Sequence, residues 1–329
     1  MPDLRRREFI TLLGGATVAW PIAARAQQAQ KTPMIGFLHP GSPEGGSIVL
    51  DSLREGFREL GYIEGESIKL EVRWARGKPE VLPQLTQELI QLGVDVLVPT
   101  ARPSIEAARA ATTSLPIVAN DLESDPIASG YVASLARPGS NLTGVFLDAP
   151  TLCSKWLQYI DDVAPNVTKV GVLWDQTTGT FQLDAVTVAA KTKSLNPIVM
   201  RFHNAAELEP ALNRGLTDNP GAIVQLGSPF IRQGAPRIAE ILSSRRIPAI
   251  SQFRTYPDSG GLMSYGPDLA HLYRRVSSQV SRVLRGTRPA ELPIERPTKF
   301  ELVINVKAAK ALGVTVPTSL LATADEVIE

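Results

Sequence analysis

The sequence predicts an α/β protein with two lobes, each built on a parallel sheet flanked by helices. From Met34 onward, short runs of β-branched and aliphatic residues alternate with segments of helical periodicity, which is typical of strands joined by crossover helices. The turn-rich stretch RPGSNLTG, residues 137–144, divides this alternation into two similar series. A chain of 329 residues with 43% hydrophobic content has enough apolar surface for two such domains.

The first series predicts four units of strand followed by helix. MIGFLH, residues 34–39, is typical of a buried strand, and residues 47–61 of an amphipathic helix that Ser47 caps and Gly61 ends. The run GSPEGGS between them lacks the lysine of a phosphate-binding loop and predicts a flexible loop lining a cleft. The further strands are IKLEVRWA (68–75), VDVLVPT (94–100) and LPIVAND (115–121). Three further helices are predicted: one that contains Leu82 to Leu92, one that begins near Ser104, and one that covers IASGYVASLA (127–136).

The second series repeats the pattern, and the tail completes it. Its strands are TKVGVLWD (168–175), NPIVMRFH (196–203), GAIVQLGS (221–228) and IPAISQF (247–253), separated by helices around 181–193, 206–216 and 236–245. The tail holds GLMSYG (261–266), a helix over 268–284, FELVIN (300–305) and VKAAKALG (306–313), too few elements for a third domain. We therefore expect 33–146 plus about 262–290 to form lobe 1, and 147–261 plus about 297–329 to form lobe 2, with the crossing segments acting as a hinge.

The N-terminus has the features of an export signal. Arg6 and Arg7 precede Glu8, Phe9 and Ile10, which is the order of a twin-arginine signal. The apolar stretch over 10–23 is shorter than a membrane span, and the triplet over 24–26 fits signal-peptidase cleavage. The sequence thus predicts a signal peptide over 1–26 and a periplasmic protein that does not span the membrane; the alternative is an ordinary amphipathic helix.

Charge and cysteine content exclude several classes of protein. Without residues 1–26 the chain carries 30 basic and 31 acidic residues, and no basic cluster of the kind that nucleic acid binding needs. The single cysteine, Cys153, cannot form an internal disulfide, and its apolar helical position indicates a buried thiol. No nucleic-acid partner is expected.

Motifs for catalysis or for cofactor binding are absent from the sequence. It contains no nucleophile elbow, no phosphate-binding loop, no dinucleotide fingerprint and no zinc helix. The three histidines, His39, His203 and His271, lie far apart and have no Cys or His at ligand spacing. We therefore predict no catalytic residue, no metal and no cofactor. A pair of acids for glycoside hydrolysis stays open, because the sequence does not show which distant carboxylates meet in the fold.

Polar residues instead collect at the carboxyl ends of the predicted strands of the first half, where open α/β sheets bind their ligands. The side chain of Arg102 suits either an anionic ligand or a surface salt bridge, and Asp121 suits either a ligand ammonium group or a turn cap. His39 ends the first strand and is expected to shape the cleft. The candidates of this half are His39, Ser42, Thr100, Arg102, Ser104, Asn120 and Asp121.

The second half supplies the opposite side of the expected cleft. Trp174 suits either stacking on a flat ligand or packing in the core, and Tyr265 closes GLMSYG within reach of the cleft. The candidates of this half are Trp174, Ser228, Gln252 and Tyr265.

Three stretches of the chain resemble a known family. SLARPGSNLTGV (134–145), GGLMSYGPDLAHLYRRV (260–276) and PTKFELVINVKAAKALGVTVPTSLLATADEVIE (297–329) are similar to substrate-binding proteins of ABC-type importers, a family that includes aromatic amino acid binding members. The resemblance runs from about Met34 to the end and implies the type I periplasmic binding protein fold: two Rossmann-like lobes, three crossovers and a ligand between them. It also implies a membrane permease and a cytoplasmic ATPase as partners. Arg102 stands where relatives commonly have a small Thr or Ser, which favours a more acidic ligand.

Together these observations predict a periplasmic substrate-binding protein that is not an enzyme. It would capture a small carboxylate-bearing solute, such as an amino acid, by hinge closure, because contacts made to both lobes at once favour the closed form. A ligand-sensing subunit for a signalling receptor is the alternative, and a hydrolase on the same scaffold is a third hypothesis.

Overall fold

The computed structural model describes residues 32–147 and 149–329, so the predicted signal peptide lies outside the described residues. The first lobe is built on a five-stranded sheet, ordered β2-β1-β3-β4-β5, in which every pairing is parallel. Parallel neighbours place all carboxyl ends at one edge of the sheet. Its strands are β1 (Met34–His39), β2 (Lys69–Trp74), β3 (Val96–Pro99), β4 (Ile117–Asp121) and β5 (Leu142–Phe146).

The second lobe repeats that order. Its seven-stranded sheet runs β12-β11-β10-β9-β8-β6-β7, so the five strands from β6 to β10 follow the same winding as β1 to β5. Only the pairing of β10 with β11 is antiparallel. These strands are β6 (Lys169–Asp175), β7 (Asn196–Phe202), β8 (Ala222–Gln225), β9 (Ala249–Ser251), β10 (Met263–Pro267), β11 (Phe300–Asn305) and β12 (Glu326–Ile328).

Helices cover both sheets, so the predicted α/β fold class is confirmed. Most begin and end where the sequence indicates: Asp268 caps the helix Leu269–Leu284, and Gly313 adopts a left-handed conformation after the helix Val306–Leu312. The helices are α1 (Pro43–Glu59), α2 (Leu82–Gln91), α3 (Ala101–Ala111), α4 (Ala149–Val163), α5 (Phe181–Thr192), α6 (Leu208–Leu216), α7 (Pro229–Gln233), α8 (Ala235–Ser244), α9 (Thr255–Asp258), α10 (Leu269–Leu284), α11 (Val306–Leu312) and α12 (Thr318–Leu321).

The chain passes between the two sheets at three places. It leaves the first lobe after β5, returns after β10 as α10, which packs along α1, and leaves again before β11. Strand β10 pairs within the second sheet, so the return occurs after Pro267, later than the boundary expected near residue 262. Several crossings between two lobes are the arrangement that hinge motion uses.

Two local predictions were wrong. The run GSPEGGS is not a flexible loop, because α1 already begins at Pro43, whose ring suits the first helical position. Its Gly46 leaves room for the ring of Trp74, which a Cβ atom would meet at 2.2 Å. The segment 127–136 is not a helix. The Asp125 carboxylate accepts hydrogen bonds from the backbone amides of Ile127 and Ala128 and closes a turn instead.

One glycine decides how closely two central strands approach. Gly144 in β5 has a φ of +148°, and a Cβ atom there would lie 2.0 Å from the carbonyl oxygen of Ala119 in β4. Only glycine fits this position. No helix within the described ranges has the length and apolar content that crossing a bilayer requires.

Candidate functional site

The carboxyl ends of the first sheet meet the second lobe at a small cavity that is partly open to solvent. Its volume is about 20 Å³, room for about one water molecule. The wall combines apolar side chains with charged and amide groups, and it draws on both lobes. It is lined by His39, Val49, Thr100, Asn120, Leu122, Glu123, Pro229, Arg232, Phe253, Leu269 and Tyr273.

His39 closes the end of β1 and is buried beneath the ring of Trp74, 4.8 Å away between ring centroids. Its Nδ1 atom accepts a hydrogen bond from the Gly41 amide at 2.9 Å. Burial holds the pKa of this imidazole well below its usual value, and the positive charge of Arg232 lowers it further. The ring is therefore neutral near pH 7, with its proton on Nε2.

Arg232 enters the cavity from α7 of the second lobe, where Ser228 at the N-cap accepts the Phe230 amide at 3.0 Å. The side chain is 6% exposed and donates a hydrogen bond to the carbonyl oxygen of Gly45 in the first lobe. No carboxylate of the described residues lies within salt-bridge distance of the guanidinium. Burial lowers the pKa of this group, but an arginine side chain keeps its positive charge in proteins. A buried unpaired cation is costly, so the site favours an anion.

Two carboxyl groups lie at the carboxyl end of β4: Asp121 ends the strand, and Glu123 follows it on the loop. Asp121 accepts hydrogen bonds from the amides of Glu123 and Ser124 and from the Ser124 hydroxyl. Glu123 lines the cavity and is buried beside Asp121. Burial raises the pKa of the Glu123 carboxyl well above its usual value, and the neighbouring Asp121 carboxylate raises it further.

A tyrosine of α10 connects the ends of β3 and β4. The Tyr273 hydroxyl lies 3.2 Å from the Thr100 hydroxyl and also contacts the Asn120 carboxamide. Asn120 is 3% exposed, yet its Oδ1 atom has no hydrogen-bond partner within the described residues. A buried acceptor without a partner carries a desolvation cost that a ligand donor would offset.

Four residues predicted from the sequence do not line the cavity and are engaged in hydrogen bonds elsewhere. Ser42 accepts a hydrogen bond from Gln233 at 2.9 Å, a contact between the lobes. Ser228 donates to the buried Asp175 carboxylate at 2.6 Å, and burial raises the pKa of Asp175. The Trp174 indole donates to the Gly179 carbonyl oxygen at 2.8 Å. Asp121, as described, positions the Glu123 loop.

The other four predicted residues do not line the cavity. Arg102 donates to Glu106 at 2.8 Å, so its charge has a partner within α3. Tyr265 packs between the rings of Tyr159 and Phe300. Ser104 and Gln252 are buried outside the lining, with side-chain polar atoms that have no partner within the described residues.

Sequence reasoning missed Arg232, Glu123 and Tyr273. Arg232 follows the strand end GAIVQLGS by only one helical turn, and this position was a usable signal. Glu123 stands two residues after Asp121 and was equally accessible to the same reasoning. Tyr273 could not be found in this way, because only the packing of α10 brings it to β3 and β4.

Metal-binding clusters and a reactive thiol were sought among the described residues. Within residues 32–147 and 149–329, no group of three or more His, Cys, Asp and Glu side chains could hold a metal. Cys153 is buried in α4, and burial raises its pKa to about 12. A buried thiol of this kind is inert.

Comparisons with known proteins agree with this architecture. The family described as ABC transporter substrate binding protein matches residues 42–328. A tyrosine-binding protein of Clostridioides difficile (strain R20291) is 25% identical over 272 residues, which is 80% of this chain and 77% of that protein.

Two solved structures have the same fold. A Streptococcus pneumonia domain in complex with L-Trp superposes with a TM-score of 0.83 at 26% identity, over 90% of this chain and all of that one (100%). A conserved domain protein of Vibrio cholerae gives 0.84 at 23% identity, again over 90% and 100%. The chain therefore has the type I periplasmic binding protein fold and belongs to the ABC transporter substrate-binding protein family.

Proposed function

We propose that this protein captures a free α-amino acid between its two lobes and presents it to an ABC importer. The observation that carries the proposal is the buried guanidinium of Arg232, which has no carboxylate partner among the described residues and lies 3.4 Å from the Nε2 atom of His39. Both groups present N–H donors to the same space. A solute carboxylate accepts from both and supplies the missing negative charge.

The opposite wall suits the other end of an amino acid. Glu123 and the free Oδ1 atom of Asn120 are acceptors, and both line the same cavity as Arg232. A zwitterion carries an anion and a cation on adjacent atoms, so it pairs with donors on one side and acceptors on the other. Leu122, Pro229 and other apolar lining residues suit the aliphatic or aromatic part of the solute.

The relatives support an amino acid as the solute. One is named a tyrosine-binding protein, and another was solved in complex with L-Trp. The cavity of about 20 Å³ is far too small for either ligand in this conformation. The lobes must therefore separate to admit the solute, and the walls must adjust around it.

Hinge closure is the proposed mechanism of capture. Hydrogen bonds between described residues already join the lobes, among them Arg232 to the Gly45 carbonyl oxygen, Gln233 to Ser42, and Gln182 to the Leu122 carbonyl oxygen at 3.1 Å. A solute held by Arg232 on one lobe and by Glu123 on the other adds further bonds of the same kind. The solute stabilises the closed form to the extent that it binds the closed form more tightly than the open form.

The cellular role follows from the family and the N-terminal sequence. We propose that the twin-arginine signal directs the chain to the periplasm, where it delivers its solute to a membrane permease driven by a cytoplasmic ATPase. The solute is released unchanged, because the site lacks an activated nucleophile.

The test is ligand-dependent thermal unfolding of the purified mature protein with each common L-amino acid, together with native mass spectrometry for a co-purified solute. A ligand at about 100 times its Kd stabilises by about 2.7 kcal/mol, which raises the midpoint by several degrees. We expect this shift with at least one amino acid and not with its decarboxylated amine. No shift with any amino acid, or recovery of a chemically changed solute, would contradict the proposal.

A further inference from the structure

A groove on the second lobe lies apart from the cleft. It runs between α4 and α5, has a volume of about 590 Å³, and shares no lining residue with the cavity at the strand ends. Its apolar wall is formed by Leu157, Phe181, Ala185, Val188 and Ala189. The groove is therefore a surface that the proposed function does not use.

Helix α5 presents the most exposed part of this groove. Val188 is 65% exposed, although valine is among the residue types most often buried. Asp184 and Lys191 lie four residues before it and three after it, so the three side chains share one face of the helix. Both charged residues are exposed, and neither has a salt-bridge partner among the residues that the structure describes, whereas the nearby Lys193 pairs with Asp161. An exposed apolar groove with polar residues at its rim is typical of an interaction surface.

The charges of this face complement those of a second copy of the same face. Asp184 stands in the first turn of α5 and Lys191 in the last, so a second α5 laid antiparallel places each acid opposite the base of the other copy. Val188 then meets its own counterpart at the two-fold axis, and the small side chains of Ala185 and Ala189 let the helices approach closely. A strongly acidic or basic partner, an anionic membrane surface included, would meet like charge at one end of the face. A second copy of this chain satisfies both charges.

We propose that this face of α5 is the interface of a homodimer, in which two copies pack α5 against α5 in antiparallel orientation. Two ion pairs between Asp184 and Lys191 flank a central contact between the two Val188 side chains. Helix α5 is about 18 Å long and about 10 Å wide, which gives less than the roughly 800 Å² per partner of stable complexes. The dimer is therefore weak, with a Kd on the order of 100 µM. It does not depend on which solute the cleft takes.

The experiment is sedimentation equilibrium of the purified mature protein at concentrations up to about 1 mM, tenfold above the expected Kd. We expect the weight-average mass to rise reversibly from that of one chain toward that of two. Val188→Asp places two carboxylates against each other at the axis and should weaken association at least about tenfold. Ile127→Asp, at a position of the first lobe that is 48% exposed, is the matched control and should dimerise as the wild type does.

Charge reversal tests the antiparallel arrangement. Asp184→Lys alone sets a base against a base, and Lys191→Glu alone sets an acid against an acid, so each should weaken association at least about tenfold. An equimolar mixture of the two variants should regain the association of the wild type, because every reversed charge then meets its opposite in the other copy. Only an antiparallel pair related by a two-fold axis predicts this rescue.

Three results would overturn the proposal: a wild type that stays monomeric at the highest concentration, a dimer that Val188→Asp leaves unchanged, or single reversals whose mixture does not recover. Co-sedimentation of the monomer with phosphatidylglycerol vesicles, lost in Val188→Asp, would assign the face to a membrane surface instead. Because the substituted positions are exposed, all variants should keep the thermal midpoint and the amino acid affinity of the wild type. The two proposals are thus tested separately, since a failure of solute binding leaves the dimer in place and a failure of the dimer leaves solute binding in place.

Discussion

The Nε2 atom of His39 lies 3.4 Å from a guanidinium nitrogen of Arg232, while the Nδ1 atom of the same ring accepts the Gly41 amide. A neutral imidazole has one acceptor nitrogen, and the Gly41 amide already uses it. The Nε2–H group and the guanidinium therefore face each other as two donors in a buried space. An oxygen between them would accept from both, and this is the physical basis of the carboxylate site proposed above.

Replacing Arg232 by methionine should separate binding from folding. Arg232→Met keeps the volume but removes the charge that pairs with the solute carboxylate, so we expect amino acid affinity to fall on the order of 100-fold or more. The free energy of unfolding of the empty protein should stay within about 1 kcal/mol or rise, because an unpaired buried charge is lost. Calorimetry and urea unfolding measure the two effects.

The matched control is Arg237→Met. Arg237 is exposed on α8 and paired with Glu209 and Glu240, so its loss should leave the affinity unchanged. Equal affinities for the wild type and Arg232→Met would show that the carboxylate is held elsewhere.

His39 should make the protein sensitive to mild acid. Its pKa is low in the folded protein and about 6.5 in the unfolded chain, so the unfolded chain takes up a proton that the buried ring does not. Stability is therefore full above pH 6.5 and falls as the pH drops below it, by up to about 1.4 kcal/mol per unit. Urea unfolding between about pH 5 and pH 7.5 measures this slope.

A histidine substitution identifies the source of that slope. His39→Asn retains an acceptor for the Gly41 amide but cannot titrate, so its stability should depend less on pH over this range. His203→Asn, at an exposed position, should retain the wild-type slope. An undiminished slope in His39→Asn would assign the acid sensitivity to another group.

Gly144 should tolerate no side chain. Gly144→Ala places a Cβ atom 2.0 Å from the Ala119 carbonyl oxygen in the adjacent strand, and the backbone cannot move without disturbing the β4–β5 pairing. We expect a loss of more than about 4 kcal/mol or failure to fold. Gly61→Ala also has a positive φ but open space around it, so its cost should be about 1 kcal/mol. Similar costs for both, measured by urea unfolding, would contradict the close approach of the two strands.

Gln182 should control how far the empty lobes open. Its Nε2 atom donates to Leu122 of the first lobe, and its Oε1 atom accepts the Gly227 amide at 2.8 Å. Gln182→Leu removes both hydrogen bonds, so small-angle scattering should give a larger radius of gyration for the empty variant than for the empty wild type. Saturating amino acid should restore the wild-type value. Gln91→Leu, an exposed substitution, is the control, and an unchanged radius in Gln182→Leu would mean that this contact does not hold the lobes together.

The site was predicted less completely than the fold, for reasons visible at single residues. His39, Thr100 and Asn120 lie at strand ends and line the cavity, and their role in ligand binding stays a prediction. Arg102 also follows a strand end, but α3 turns its side chain toward Glu106. Tyr265 lies within β10, and its neighbours Tyr159 and Phe300 come from distant parts of the chain. Strand ends predict a neighbourhood, whereas the direction of each side chain depends on what packs beside it.

The sequence by itself determined the α/β class, the repeated winding and the helix ends, because hydrophobic periodicity and capping residues act over a few neighbouring positions. It could not bring Arg232 within reach of Gly45 and His39, which are nearly two hundred residues away in the chain. Those relations depend on the three passages between the sheets and on burial. Burial raises the pKa of Glu123 and leaves Arg232 without a carboxylate within salt-bridge distance among the described residues, and neither relation can be read from the sequence because both depend on which distant segments pack together.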